Sequence, residues 1–131
     1  MIDVYVIEGD ALMVARPKDT LDAQTAERIV EFIEIKEEQL ETGFNRFCDL
    51  TRLEGINLSF AEVLSFAVRR GAFNPNDIHV KSAFLAANPL GHGIARMYEH
   101  MLHSPRIEVR VFGELEAAAE WLAVKPDRLT L

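Results

Sequence analysis

The chain has 131 residues, of which 49% are hydrophobic and 27% are charged, and its formal net charge is −7. This length suits one domain, and the apolar content is enough for a core, so a disordered chain is excluded. The negative charge argues against a nucleic acid or an anionic membrane surface as a partner, because both would repel the protein. No apolar run approaches the roughly 20 residues of a membrane-spanning helix.

The chain contains one cysteine, Cys48, which excludes an internal disulfide and suits a reducing compartment. The first ten residues, MIDVYVIEGD, carry acids where a secretory signal peptide has a basic segment followed by an apolar run. We therefore expect a cytoplasmic protein. Cys48 is expected to be a small, buried core residue, since no histidine or lysine lies near it in the sequence to activate the thiol.

The chain begins with a predicted hairpin. Two short apolar runs, Val4–Glu8 and Ala11–Ala15, flank Gly9-Asp10, a pair typical of a two-residue turn with a positive φ at the glycine. The segment Arg16-Pro17-Lys18-Asp19 then predicts the end of the second strand.

The apolar period changes to that of a helix over residues 21–41, with Thr20 or Asp22 as the N-cap and Gly43 as the C-terminal stop. The acidic run Glu34–Glu41 is interpreted as a solvated face of this helix. Phe32 and Ile35 lie off the apolar stripe. They can contact a neighbouring helix or a second copy of the chain in a homodimer.

The central stretch, Phe44–Val63, predicts a strand, a turn and a capped helix. The third strand is expected at Phe44–Leu50 and the turn at Thr51–Leu58. Ser59 followed by Glu62 is a capping box, in which each residue's side chain bonds the other's backbone N–H. The second helix is predicted to end at Gly71 or within Asn74-Pro75-Asn76-Asp77, and its core face is predicted to carry Phe60, Val63, Leu64 and Ala67.

The second half of the chain repeats the strand-helix alternation. His79–Ala87 predicts a central parallel strand, and Asn88-Pro89 predicts the N-cap and first residue of the third helix. Arg106–Phe112 alternates apolar and charged residues, as a half-exposed edge strand does. A fourth helix is predicted over Glu114–Val124, and a loosely held C-terminal tail over 125–131.

The resulting order, β-β-α-β-α-β-α-β-α, predicts an α/β fold with a five-stranded, mixed, mostly parallel sheet and four helices. Residues 1–124 are expected to form a single domain, since nothing in the composition marks a linker.

Candidate site residues lie where strands end and helices begin, which is the usual site of chemistry or recognition in layered α/β proteins. The junction between the third strand and the second helix is a candidate binding or switch loop that holds Asp49, Thr51, Asn57 and Ser59. If the third and fourth strands are parallel, the next loop lies at the same edge and supplies the rim of a shallow pocket: Asn88, Gly91, His92 and Arg96.

Motifs for catalysis or metal binding are absent from the sequence. His100 and His103 share a helix face, but a metal site needs three or four converging ligands, so surface histidines are the favoured interpretation. Gly91-His92-Gly93 lacks the lysine and the spacing of phosphate-binding loops. GxSxG and paired-carboxylate motifs are missing too. We therefore predict no enzyme, no catalytic residue, no metal and no cofactor.

The element order and three segments resemble the SpoIIAA-like (STAS) fold, and more closely the small bacterial SpoIIAA-like, or STAS/SEC14-domain, proteins. The segments are FCDLTRL, EVRVFGELEAAAEWL from Glu108 to Leu122, and Arg96-Met97-Tyr98. The resemblance covers nearly the whole chain. It implies a non-enzymatic regulatory or protein-interaction domain that acts through the loop between the third strand and the second helix.

In anti-sigma-factor antagonists of this fold, an Asp-Ser-Ser-type segment opens the second helix, and one serine is phosphorylated to switch partner binding. The resemblance aligns Asn57 with the acidic position, Leu58 with the phosphorylated serine and Ser59 with the second serine. A leucine cannot be phosphorylated, so this switch does not carry over to Leu58. Ser59 or Thr51 remains as a phosphate acceptor, and the alternative role of Ser59 is that of a structural cap.

The SEC14-type relatives imply a second function, the binding of a small apolar molecule or lipid. This hypothesis expects an apolar cavity between the second and third helices that is lined by Phe60, Leu64, Leu90 and Met97. The identity of the ligand or partner stays open between the two functions.

Overall fold

The structure, a computed structural model, describes residues 2–73 and 75–130. Within these residues there are seven strands and four α-helices. The strands are β1 (Ile2–Ile7), β2 (Leu12–Pro17), β3 (Asp19–Asp22), β4 (Asn45–Asp49), β5 (Leu53–Asn57), β6 (Val80–Leu85) and β7 (Ile107–Phe112). The helices are α1 (Ala23–Gln39), α2 (Phe60–Ala72), α3 (Pro89–Met101) and α4 (Leu115–Leu122), and short 3-10 helices span Glu8–Asp10 and Pro126–Thr130.

The main sheet has the strand order β1-β2-β4-β6-β7. β1 runs antiparallel to β2, and every other neighbouring pair is parallel. The chain therefore has the predicted α/β fold, with a five-stranded, mixed, mostly parallel sheet and four helices. The interior position of β6 and the edge position of β7 are also confirmed.

A second, two-stranded sheet pairs β3 with β5 in parallel, with Leu21 opposite Ile56 and Asp22 opposite Asn57. The prediction of a turn over Thr51–Leu58 is therefore wrong for the β5 residues. These strands have only four and five residues, and their pairing joins segments that are distant in sequence. So short a run carries too few residues to show a period.

The hairpin between β1 and β2 is confirmed, but its turn differs from the prediction. Residues 8–10 form a 3-10 turn, and the positive φ, 48°, falls on Ala11 rather than on Gly9. β2 also continues through Arg16 to Pro17, where Pro17 closes the strand. A proline at a strand end breaks no central ladder bond.

The helix caps follow the sequence rules. Asp22 rather than Thr20 caps α1, and its Oδ1 accepts from the Thr25 N–H at 2.8 Å. Asn88 caps α3 ahead of Pro89, and its Oδ1 accepts from the Gly91 N–H, also at 2.8 Å. α1 stops at Gln39, ahead of the expected stop at Gly43.

The end of α2 differs slightly from the prediction. The helix runs one residue past Gly71 to Ala72, and the C-cap Phe73 donates its N–H to the Arg69 carbonyl. Asn74, in the other predicted stop, lies outside the described residues.

The core has two parts, one on each face of the main sheet, because side chains along a strand alternate. Phe47 of β4 packs into the part covered by α4, and its neighbour Cys48 packs into the part covered by α1 and α3. Leu129 is fully buried in the α4 part. The expectation of a loosely held tail is therefore wrong for residues 126–130, while Leu131 lies outside the described residues.

Candidate functional site

The predicted switch loop is held by local hydrogen bonds. Asp49 Oδ1 accepts from the Thr51 N–H at 2.9 Å and from the Thr51 hydroxyl at 2.6 Å. Asp49 Oδ2 lies 4.0 Å from Nε of Arg16, which is buried on the α4 side. The Asp49 carboxylate is thus used in fixing the turn after β4, and Thr51 is the exposed member of that turn.

Ser59 forms a complete capping box with Glu62. The Ser59 hydroxyl accepts from the Glu62 N–H at 3.1 Å, and a Glu62 carboxylate oxygen accepts from the Ser59 N–H at 2.9 Å. Asn57 is exposed at the end of β5, opposite Asp22. These contacts give Ser59 a structural role at the start of α2.

The two candidate loops meet, but only in part. A Cβ placed on Gly91 would lie 3.5 Å from Leu50 Cβ, so the start of α3 packs directly on the residue after β4. His92 is exposed, and Arg96 is exposed and pairs with Glu99 at 2.7 Å on its own helix. The structure therefore brings Asn88 and Gly91 against the β4 end and leaves His92 and Arg96 on the surface.

A cavity of about 120 Å³ lies between the main sheet and helices α1, α2 and α3. We call it the inner cavity. The sheet contributes Met13, Arg46, Cys48, Ser82 and Phe84, the helices contribute Ala26, Ile29, Val30, Ile33, Val63, Phe66, Arg70, Ile94, Ala95 and Tyr98, and Leu21, Leu50 and Leu58 complete the lining. Most of this lining is apolar.

The predicted lining of such a cavity is wrong. Phe60, Leu64 and Leu90 are exposed on the protein surface, and Met97 does not line the cavity. The inward face of α2 instead carries Val63, Phe66 and Arg70. Of the four residues predicted on the core face of α2, Val63 and Ala67 are buried, whereas Phe60 and Leu64 are exposed, because apolar residues occur on both sides of this helix.

One end of the inner cavity is polar. Arg46 and Ser82 are paired neighbours on β4 and β6, and both line the cavity. Tyr98 lies close by, and burial raises the pKa of its hydroxyl to about 12, so it stays a neutral hydrogen-bond donor. Burial, with the Asp49 charge, likewise raises the pKa of the Cys48 thiol to about 12, which makes that thiol unreactive.

Behind this polar end lies a buried ionic cluster, Glu37 with Arg46, Arg70 and Arg106, which we call the buried arginine cluster. Glu37 Oε2 accepts a hydrogen bond from each arginine, at 3.0 Å from Arg70 Nη2 and 3.1 Å from Arg106 Nη1. Burial acts to raise the pKa of Glu37, but the hydrogen bond from Arg70 and the charges of the three arginines outweigh it, so the pKa is lowered. Glu37 is therefore a carboxylate at neutral pH.

The interpretation of Glu34–Glu41 as a solvated face is wrong at Glu37. A signal was present, because Glu37 follows Ile33 by four residues and precedes Leu40 by three, which places it on the apolar stripe of α1. Arg46 likewise occupies the inward position between Phe44 and Cys48 on β4. A charged residue at a core position on both elements indicates a buried ion pair.

The cluster is not fully hydrogen-bonded. Three buried atoms have no hydrogen-bond partner in the described part of the chain: Glu37 Oε1, Arg46 Nε and Arg46 Nη1. Glu37 Oε1 does lie 2.9 Å from Arg70 Nη2, so it is compensated by charge, although the geometry is not that of a hydrogen bond. The two Arg46 nitrogens have no such neighbour among the ion pairs of the described residues.

The exposed side of α2 carries an apolar stripe. Phe60, Leu64 and Val68 follow one another at a spacing of four residues, which places them on one helix face. Their exposed fractions are 64%, 40% and 61%. The stripe begins one residue after Ser59, so it adjoins the predicted switch loop.

Among residues 2–73 and 75–130, no group of three or more histidine, cysteine, aspartate or glutamate side chains is arranged to hold a metal ion, and all four histidines are exposed. In the same part of the chain, no helix combines the length and the apolar character needed to cross a membrane.

Comparisons with known proteins support the fold. No protein-family model matches the sequence, and no curated protein matches it. Among solved structures, the chain is similar to an uncharacterised protein of the DUF3478 family with a SpoIIAA-like fold from Shewanella loihica PV-4. The identity is 17%, the TM-score is 0.60, and the match covers 93% of this chain and 92% of the other. The chain therefore has a SpoIIAA-like fold, as the resemblance in its sequence implied.

Proposed function

We propose that this chain is a non-enzymatic binding domain that holds a small, largely apolar molecule in the inner cavity. The observation that carries the proposal is the cavity itself, which lies between the sheet and three helices. A well-formed apolar pocket with a few convergent polar groups is the usual form of a small-molecule site. A cavity of about 150 Å³ holds benzene, so one of about 120 Å³ suits a group of roughly five or six carbon atoms.

The test uses two probes with the same six-carbon chain, hexan-1-ol and hexanoate. Each is titrated into isotopically labelled protein while backbone and methyl NMR shifts are recorded. The proposal predicts that at least one probe gives saturable shifts centred on the lining residues Ile29, Leu50 and Ile94. Native mass spectrometry of the purified protein provides a second readout, a copurified small molecule.

A filling variant makes this test specific. Ala95 lines the cavity and is fully buried, so Ala95→Leu would occupy part of its volume. Ala117→Leu makes the same change on the exposed face of α4 and serves as the control. Binding should be lost in A95L and kept in A117L. The proposal is wrong if neither probe saturates, or if a folded A95L binds as well as the parent protein.

A second candidate function is a regulatory or protein-interaction role through the loop between β4 and α2. The observation that favours it is the exposed α2 stripe of Phe60, Leu64 and Val68, since exposed apolar patches mark interaction sites. The first partner to test is a second copy of the chain. Sedimentation velocity should show a concentration-dependent dimer that Leu64→Glu abolishes and the neighbouring exposed Ser65→Glu preserves.

Phosphorylation would be the switch in this second candidate. A phosphate on Ser59 would lie beside the Glu62 carboxylate, and one on Thr51 would lie beside Asp49. Like-charge repulsion would then open the capping box or the turn after β4. Intact-mass measurement after incubation with a kinase from the source cell tests this step, and the absence of a phosphate at both residues would count against it.

A further inference from the structure

We infer that the molecule held in the inner cavity carries a single carboxylate, which binds at Arg46. This inference rests on the proposed function of the cavity and adds the chemical class of its ligand. The occupant is thus a small monocarboxylic acid, with its apolar part directed along the cavity and its acid group at the buried arginine cluster.

Arg46 presents a buried cation to the inner cavity. This side chain lines the cavity and is only 3% exposed. Its Nη2 is bound to Glu37, but Nε and Nη1 have no hydrogen-bond partner in the described part of the chain. Buried polar groups are almost always hydrogen-bonded, so two free donors on a buried cation beside a cavity indicate a missing acceptor.

The buried ionic network around Arg46 carries a net positive charge. The cluster extends through Glu34, which pairs with Arg70 at 3.4 Å and with Arg69 at 2.6 Å, and Arg69 also pairs with Glu27 at 2.6 Å. In the buried part of this network, within the described residues, three arginines (Arg46, Arg70 and Arg106) meet two glutamates (Glu34 and Glu37), while Arg69 and Glu27 form an outer pair whose side chains are 37% and 45% exposed. The network has one positive charge in excess, and a carboxylate would balance it. A phosphate dianion would carry one negative charge too many.

The inner cavity has a polar part and an apolar part. Its polar lining is Arg46, Ser82 and Arg70, of which Arg70 is already bound to Glu34 and Glu37, and Leu50 and Leu58 lie among the apolar lining. Arg46 and Leu50 are four residues apart on one extended segment, which corresponds to about 13 Å at the rise of a strand. The cavity therefore offers a cationic end and an apolar end, and this matches an amphipathic acid better than an uncharged hydrocarbon.

The energetics agree with this assignment. Burial, with the charges of Arg70 and Arg106, lowers the pKa of Arg46 to about 10 even though Glu37 acts to raise it. The guanidinium also stacks on the Phe44 ring, 4.6 Å from its centroid, a contact that satisfies no N–H donor. A bound carboxylate would supply the charge-assisted hydrogen bond that Arg46 lacks. The hydroxyls of Ser82 and Tyr98, which also line the cavity, are further donors for its second oxygen.

The experiment compares matched acids and alcohols. Butanoate, hexanoate and octanoate are each titrated against the alcohol of the same chain length at neutral pH, with affinity measured by NMR shift changes. The inference predicts that the best acid binds at least about tenfold more tightly than its alcohol, as expected for a charge-assisted hydrogen bond. Equal affinities would overturn the inference and leave the proposed function standing. Binding of neither series would overturn both.

Variants locate the acid group. Arg46→Met should remove the preference for acid over alcohol, and Arg46→Lys should retain a preference because it keeps the charge. Arg69→Gln removes a charge from the exposed edge of the network, at a residue that does not line the cavity and does not enter the buried charge count, so it should keep most of the preference. A folded R46M that still prefers the acid would overturn the inference. Should R46M fail to fold, the acid–alcohol comparison in the parent protein still decides.

Discussion

The most direct perturbation of the buried arginine cluster is Glu37→Gln, which keeps the shape of the side chain and removes its charge. In the described part of the chain, Glu37 is the only carboxylate paired with Arg46 or with Arg106. Arg70 would keep Glu34 at 3.4 Å. Removing one partner of a buried ion pair typically costs about 3–5 kcal/mol, because the remaining charges are left uncompensated.

This cost is a large part of the total stability, since domains of this kind unfold with about 5–15 kcal/mol. With a urea m-value of about 2 kcal/mol per M, the unfolding midpoint of E37Q should fall by roughly 1.5–2.5 M. The transition can be followed by circular dichroism and by the fluorescence of the single tryptophan, Trp121. The matched control is Glu38→Gln, the same change at an exposed neighbour, which should stay within about 0.5 kcal/mol.

The dependence of this cost on pH has a definite sign. The folded-state pKa of Glu37 is lowered from its ordinary value of 4.5, so the carboxylate contributes stability that is fully present above about that pH. The contribution is lost as the pH falls through the folded-state pKa. E37Q should therefore show a weaker acid destabilisation than the parent protein. A stability of E37Q equal to that of E38Q at neutral pH would refute the reasoning.

Three further predictions concern local packing. Gly71→Ala should destabilise the protein by about 1–3 kcal/mol, because the new Cβ would lie 2.6 Å from a backbone carbonyl of the loop before β7. Gly93→Ala meets open space and should stabilise the protein by up to about 1 kcal/mol. Thermal unfolding of both variants measures these changes. Ser59→Ala should lower the free energy of unfolding by about 1 kcal/mol through loss of the α2 cap. The control Ser65→Ala, at an exposed position of the same helix, should not lower it in the same assay. Cys48 should resist alkylation until urea unfolds the chain, since it is buried and the pKa of its thiol is raised to about 12; rapid labelling of the native protein would contradict this.

Much of the fold could be predicted because its rules act over short distances in the sequence. The caps Asp22, Ser59 and Asn88 each depend on a residue three positions away, and the edge strand β7 depends on an alternation within six residues. The missed β3–β5 pair depends instead on a contact between distant segments. Its short strands had no pattern of their own to show it.

The candidate site was harder to predict, because its parts also lie far apart in the sequence. The predicted loop residues are held by hydrogen bonds within their own turn or cap. These hydrogen bonds join residues two or three positions apart, so the sequence alone can indicate them. The inner cavity needs four strands and three helices to meet, and the buried arginine cluster behind its polar end joins Glu37, Arg46, Arg70 and Arg106 from four different parts of the chain. Only their placement at core positions hinted at the cluster, and the partners could not be matched without the fold.

NMR mapping of hexanoate on the parent protein tests directly whether the inner cavity binds a monocarboxylate. We expect saturable shifts at the methyl groups of Ile29, Leu50 and Ile94, together with a shift of the Arg46 side-chain N–H signals. Shifts confined to the exposed α2 stripe of Phe60, Leu64 and Val68, or a response that never saturates, would contradict it.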